Sequence, residues 1–290
     1  MSEVTSSPTT ALCAIMRNEG PFVLEWIAHH RALGFDQIII YDNESTDDLP
    51  RLCHSLSNAG AIIYRPWPDP ELGCVISPQI LAYQHAVANL TTNWLCCLDA
   101  DEFLVLEHAS TIQEFLANAG LAGMPIALNW KLFGSSGAID ASPDPVTERF
   151  IRCGSDLHPA NAVIKTFGPR WLLHAGAHIH IHGWPLVAGQ FYVDASGARV
   201  EVESNTFLRP PCWKHAWINH YIVKSREEFE RKRVRGDASV PMGREDKFSR
   251  TYETYFIPYD VNQDQDVTIL RFKTAREREH HRLLKLVAGH

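Results

Sequence analysis

Three acids stand together in Leu98-Asp99-Ala100-Asp101-Glu102-Phe103, directly after an apolar run at 94–98 that reads as a β-strand. Ligand sites of open α/β sheets lie beyond the carboxyl ends of strands, so these side chains fall where a ligand is expected. Carboxylates at i and i+2 in a tight turn can be aimed at one hard cation. Mg²⁺ or Mn²⁺ accepts such oxygens and keeps positions for water and substrate phosphates. The plain alternative is an acidic surface turn, but an acidic triplet beyond a buried strand repels itself unless a cation is near.

A second polar loop, Tyr41-Asp42-Asn43-Glu44-Ser45-Thr46-Asp47-Asp48, follows another strand-like run. An Asp at that strand end is placed to accept hydrogen bonds from ribose hydroxyls or a base edge. Ser45, Thr46 or Asp47 equally suits a helix cap, whereas Asp42 and Asn43 precede the cap. His178, His180 and His182 alternate in a presumed strand over 178–182, which puts them on one face. They read as an edge strand or, less simply, as a transition-metal site, with no Cys or carboxylate partner fixed by spacing.

The elements that must position these groups alternate between short apolar runs and amphipathic segments, the pattern of β-α-β units around a mostly parallel sheet. Strands are predicted over 12–15, 37–41, 61–64, 94–98 and 126–132, and helices over 23–33, 49–59, 79–90 and 111–119. Beyond residue 134 the alternation weakens. Short strands at 162–167 and 178–182, a charged helix at 226–235 and a terminal amphipathic helix at 276–287 complete the reading. The chain divides on this view into a frayed 1–10, a catalytic domain over 11–240 and a C-terminal extension over 241–290.

With 290 residues and 45% hydrophobic content the chain can bury a large core. Lys and Arg total 27 against 34 Asp and Glu, a formal net charge of −7, which is the wrong sign for gripping nucleic acid. A small anionic substrate would need local cations or a metal. The opening MSEVTSSPTT has no basic then apolar leader pattern, and no run approaches a membrane span. The expectation is a cytoplasmic protein without a transmembrane segment, compatible with peripheral membrane association. Seven cysteines without a C-x-x-C pair suggest neither a disulfide framework nor a zinc site.

The segments CAIMRNEGPFVLEWIAHHRALGFDQIIIYDNESTDD and WLCCLDADEFL carry, in order, N-E, E-W-x-x-x-H, D-N-x-S-x-D and D-x-D-E-F elements. Together with Asn129-Trp130-Lys131-Leu132-Phe133-Gly134, Lys165, His220-Tyr221-Ile222-Val223-Lys224-Ser225 and residues 232–236, they resemble the bacterial glycosyltransferase 2-like proteins related to glycosyltransferase family 92. The resemblance implies a GT-A fold: an α/β, Rossmann-like mixed sheet, mostly parallel and flanked by helices, with a C-terminal helical extension. It implies metal-dependent transfer of a sugar from a nucleoside-diphosphate donor, with UDP as the family-level expectation and inversion at the anomeric carbon. The acceptor would be a carbohydrate or glycolipid. Asn18, Glu19, Asp42 and Asn43 would line the nucleotide pocket and Asp99 would contact the donor. Asp99, Asp101 and His220 would hold Mn²⁺ or Mg²⁺, and Glu102 would orient the ligands.

Lys224, Lys232 and Arg235 would neutralise the leaving diphosphate; a solvated basic helix face is the alternative for the last two. The E-D pair of many inverting relatives is not evident, so Asp156 stands as the nominated base. A metal-dependent nucleotide-sugar hydrolase and a non-catalytic nucleotide- or glycan-binding module would use the same acids. A dinucleotide oxidoreductase is disfavoured because no G-x-G-x-x-G follows the first strand.

Overall fold

The computed structural model describes residues 8–70, 74–118, 123–173, 179–236, 240 and 249–289. In chain order the elements begin β1 (Thr10–Met16), α1 (Gly20–Ala32), β2 (Gln37–Asp42), α2 (Leu49–Asn58), β3 (Ile63–Pro66), α3 (Pro78–Ala88), β4 (Trp94–Cys97), β5 (Glu102–Leu106), α4 (Ile112–Asn118) and β6 (Ile126–Leu132). The second half adds α5 (Val146–Arg149), β7 (Arg152–Cys153), β8 (Ile164–Pro169), β9 (Tyr192–Asp194), β10 (Arg199–Val200), β11 (Ala216–His220), α6 (Arg226–Arg235), α7 (Ile257–Tyr259), β12 (Asp264–Gln265) and α8 (Lys273–Ala288).

The α/β architecture anticipated above is the one observed. Strands β3, β2, β1 and β4 lie parallel, and β8 then joins antiparallel to both β4 and β6. Strand β1 is buried along its whole length. Leu12, Ala14 and Met16 enter one apolar cluster with α1, α2 and Leu283 of α8, while Ala11, Cys13 and Ile15 enter another with Ala82, Tyr83 and Ala86 of α3. Alternation across the pleat therefore builds two cores from one strand, which is why these strands read as continuous apolar runs.

Strand β6 belongs to two arms of the sheet. Its first residues pair with β8 and β9, and its last, Trp130 to Leu132, pair in parallel with β11, which also pairs antiparallel with β5. The chain leaves β4, makes the acidic turn, and enters β5 at the point where these arms diverge.

Several expectations change. The strand predicted over 162–167 is displaced to Ile164–Pro169, because Pro159–Ala162 winds into a 3-10 turn. Residues 179–182 form no strand, so His180 and His182 do not alternate along one; His178 lies outside the described residues. The terminal helix begins earlier, at Lys273. Nor is residue 240 a packing boundary: α8 lies along α1, Leu283 joins the main core, and β12 pairs with β7. At the other end, Thr10 is buried and its amide donates to Asp36 Oδ2 at 2.8 Å, so ordered structure begins before residue 11. Among the described residues no helix is long and apolar enough to cross a membrane.

Candidate active site: an acidic turn under a basic rim

The turn between β4 and β5 is held from three sides. The Glu102 amide donates to Asp99 O at 3.1 Å, and the Glu102 carboxylate accepts the Asp99 amide at 2.8 Å. From α1, the Trp26 indole N–H donates to the carbonyls of Asp99, at 3.1 Å, and Glu102, at 2.9 Å. From β11, the Tyr221 amide donates to Asp101 O at 2.9 Å. The backbone that aims the acids is thereby fixed before any ligand arrives.

Asp99 keeps a partly exposed edge. Its Oδ1 accepts from Gln79 Nε2 at 2.7 Å and its Oδ2 from Lys165 Nζ at 3.0 Å. The buried Lys165 also lies 3.3 Å from Glu102 Oε2. One ammonium thus serves two carboxylates, and the fully enclosed one loses: burial pushes Glu102 up to about 8, with Lys165 opposing. Burial works in the same direction on Asp99, but Lys165 brings its carboxyl below the usual range. Glu102 does not reach the pocket lining. It is a positioning residue, locked under the turn.

Asp101 is buried, with its carboxylate paired to Lys232 of α6 and Oδ1 3.5 Å from His220 Nε2. Burial would raise its carboxyl, yet Lys232 and His220 hold it well below the carboxylate range. His220 packs edge-on against Trp130, ring centroids 4.2 Å apart, and its buried Nδ1 has no hydrogen-bond partner. Asp99, Asp101, His220 and Trp130 line one pocket, with Arg17, Lys232, Arg235 and Arg250 at its rim and Glu19 as the remaining acid. The lining is net positive in a chain of net charge −7. Arg235 reaches its place by pairing with Glu19 and donating to Arg17 O at 3.0 Å.

The other predicted residues serve the walls. Asn18, at φ +52°, accepts the Thr46 amide at 2.7 Å and donates its own amide to Ser45 Oγ at 2.9 Å, tying the first two strand-end loops together. Asp47 accepts the amides of Gly20 and Leu49 at 2.7 and 3.0 Å, fastening the starts of α1 and α2. Asp42 accepts from Tyr64 Oη at 2.6 Å and from the Ser45 amide at 3.0 Å, and Asn43 donates to Trp67 O and Asp69 Oδ1 at 3.1 and 3.0 Å. Both are buried in these tasks and neither is among the lining residues of the pocket. Asp69 in turn lies 3.7 Å from Arg17 Nη1, so the loop acts on the rim indirectly. Lys224 faces an adjoining cavity that shares Glu19, Lys232 and Arg235, its ammonium 4.3 Å from the centre of the Phe22 ring.

Asp156, the base expected from the sequence, sits exposed in a turn and is not among the lining residues. His182 does line the pocket, but its Nδ1 lies 3.2 Å from Ile164 O and burial lowers its pKa to about 3.

Lys165 was visible in the sequence only as part of a resemblance, yet a lone lysine in an apolar strand is itself a signal, since buried lysines are almost always paired. Gln79, Trp26 and Arg17 carried no comparable mark.

Two ionised carboxylates and an imidazole in a polar pocket are donors that Mn²⁺ or Mg²⁺ accepts, so the residues fit such an ion. Their donor atoms are not gathered around one point as they stand; among the described residues that arrangement occurs only at Glu107, His108 and His215, on the surface.

Residues 10–134 match the model of glycosyltransferase family 92. A family 92 protein of Ricinus communis is 30% identical over 134 residues, covering 43% of this chain and 23% of the relative. Another, of Oryza sativa subsp. japonica, is 28% identical over 112 residues, covering 37% and 18%. The matches span less than a quarter of these relatives' lengths. Both are plant proteins, so the bacterial attribution finds no support in them. Among solved structures, a mannosyltransferase of Pyrobaculum calidifontis in complex with GDP-Man and Mn²⁺ aligns with TM-score 0.32 and 19% identity, over 43% of this chain and 36% of that one. S. aureus TarS in complex with UDP aligns with TM-score 0.36 and 12% identity, over 57% and 48%.

Proposed function

We propose that this chain is a glycosyltransferase of GT-A type that takes a sugar from a nucleoside-diphosphate donor, UDP being the first candidate, and passes it to a hydroxyl of a carbohydrate or glycolipid. One observation carries the reading: Asp99 and Asp101, just beyond a buried strand, line one pocket together with Arg17, Lys232, Arg235 and Arg250. The match of residues 10–134 to family 92 covers that strand, that turn and the first two strand-end loops, and supports the same assignment.

Asp99, Asp101 and His220 would hold Mn²⁺ or Mg²⁺. When bound, such an ion offsets the negative charge that grows on the departing diphosphate. The remaining work falls to the chain's own groups. Arg17, Lys232 and Arg235 line the pocket with positive charge that would stabilise the charge developing on the phosphate oxygens. Trp26 and Glu102 hold the acids still, so that no reorganisation is needed at the moment of transfer. In the inverting course expected from the sequence, the acceptor oxygen bonds to the anomeric carbon as the bond to the diphosphate breaks on the opposite side. The hydroxyl proton passes to a base.

The test is a donor screen with purified protein, scored by released nucleoside diphosphate and by the sugar-bearing product. Transfer that requires Mn²⁺ or Mg²⁺, and that falls by roughly a thousandfold or more in Asp101→Ala with the thermal transition retained, is the expected result. Wild-type turnover in Asp101→Ala would refute the assignment, and free sugar formed at full rate without acceptor would make the enzyme a hydrolase.

A further inference from the structure

The two acids of the turn are neutralised in different ways. Asp99 is matched by Lys165, which is 1% exposed, comes from the interior strand β8 and does not line the pocket. Among the described residues that ammonium is paired with no carboxylate besides Asp99 and Glu102. Asp101 is matched by Lys232, which comes from the last turn of the outer helix α6 and lines both the main pocket and the adjoining cavity. The Lys232 ammonium contacts Asp101 Oδ2 directly and donates a second hydrogen bond, of 2.8 Å, to Ile222 O.

A divalent ion that takes Asp101 Oδ2 competes directly with the ammonium for that oxygen, and one that takes Oδ1, on the His220 side, still meets the ammonium's charge across the same carboxylate. Among the described residues Asp99, whose edge remains partly exposed, is ion-paired only with Lys165.

Resting on the donor-site reading above, we infer that Lys232 is an exchangeable internal cation: it holds Asp101 while the site is empty, and it moves to the donor's diphosphate when a divalent ion takes Asp101. The geometry supplies both ends of the exchange. The chain that carries Nζ borders the main pocket, where a diphosphate would lie, and Arg235, one turn along the same helix face, is anchored on Glu19 and keeps α6 in place while the lysine swings. Until the exchange occurs, a bare ion meets an acid that is already paired, so metal and diphosphate assist each other's binding beyond the direct bridge between them. That assistance is reciprocal.

The experiment is Mn²⁺ binding to the full chain without nucleotide, followed by the electron paramagnetic resonance signal of free Mn²⁺. Wild type is compared with Lys232→Met, Lys232→Gln and Lys232→Arg, each checked for a wild-type circular dichroism spectrum. Gln can keep the bond to Ile222 O without the charge, so it reports on the charge even if Met disturbs α6. Both neutral variants are expected to bind Mn²⁺ roughly tenfold or more tightly than wild type, and Lys232→Arg to remain near wild type, as removal of one competing charge at a part-buried site predicts. Adding Asp101→Asn to either neutral variant is expected to abolish the gain. With UDP present, Mn²⁺ affinity should rise by a larger factor in wild type than in the neutral variants. Neutral variants that bind Mn²⁺ no better than wild type, while UDP and Mn²⁺ still bind together, would overturn the exchange and leave the donor site standing. Absence of Mn²⁺ uptake by every variant, with and without UDP, would overturn both.

Discussion

At the scale of single residues, the site depends on side chains that never touch the pocket. Trp26 is buried and spends its one donor on two carbonyls of the acidic turn. Replacing it by Phe keeps most of the ring's packing but leaves those buried oxygens short of a partner, a loss of about 1–3 kcal/mol. The expected outcome for Trp26→Phe is lower stability by that amount in urea titration, with a parallel weakening of Mn²⁺-dependent nucleotide binding because Asp99 is no longer held. Unchanged nucleotide affinity in a destabilised protein would show that the indole supports only the fold. The sequence displayed Trp26 within the E-W-x-x-x-H element without disclosing this, since nothing in spacing tells which backbone an indole N–H will meet 73 residues away.

At the scale of elements, the same stretch of α1 explains how β5 survives with one strand neighbour. Among the described residues β5 pairs only with β11, so the Leu104 amide and carbonyl face the helix instead of another strand. His29 Nε2 lies 2.7 Å from Leu104 O, and the Leu104 amide donates to His30 Nε2 at 3.3 Å while His30 Nδ1 lies 2.9 Å from Trp26 O. Two neutral imidazoles stand in for a missing strand. Burial lowers His29 from 6.5 to about 4 and His30 well below 6.5. Because the folded values are depressed, the unfolded chain binds protons first as pH falls. The stabilisation is whole above about pH 6.5 and is lost between there and about pH 4. For His29 alone the loss at about pH 5 is about 2 kcal/mol. Urea titrations at about pH 7.5 and 5 should show the wild type losing more stability than His29→Gln, whose amide can still donate to Leu104 O; equal losses would contradict the reading. A strand over 102–106 was not legible, because its residues follow the acids without a break and read as their continuation.

At the scale of the whole molecule, the parallel half was more open to sequence reasoning than the other, for a physical reason. Strands β1, β2 and β4 are buried on both faces and announce themselves as apolar runs. In the second half α6, α8 and, with a shift, β8 could be read, but β7, β9, β10 and β12 have two or three residues each, too few for any periodicity to register. Its placement depends on pairings distant in sequence, such as Cys153 with Asp264. The acids and His220 were legible because strand ends and family-like order mark them, whereas Lys165 and Gln79 acquire meaning only when β8 and α3 are brought beside the turn. What the assembled molecule achieves is a net-positive pocket in a net-negative chain, with the acids that need a cation at its floor. Anomalous X-ray scattering from a crystal soaked with Mn²⁺ and UDP examines that claim directly. The account predicts a manganese peak beside Asp99 and Asp101 with UDP in the same pocket, and Lys232 turned from the carboxylate toward the nucleotide. UDP bound elsewhere, or bound here with no manganese beside Asp99 and Asp101, would contradict it.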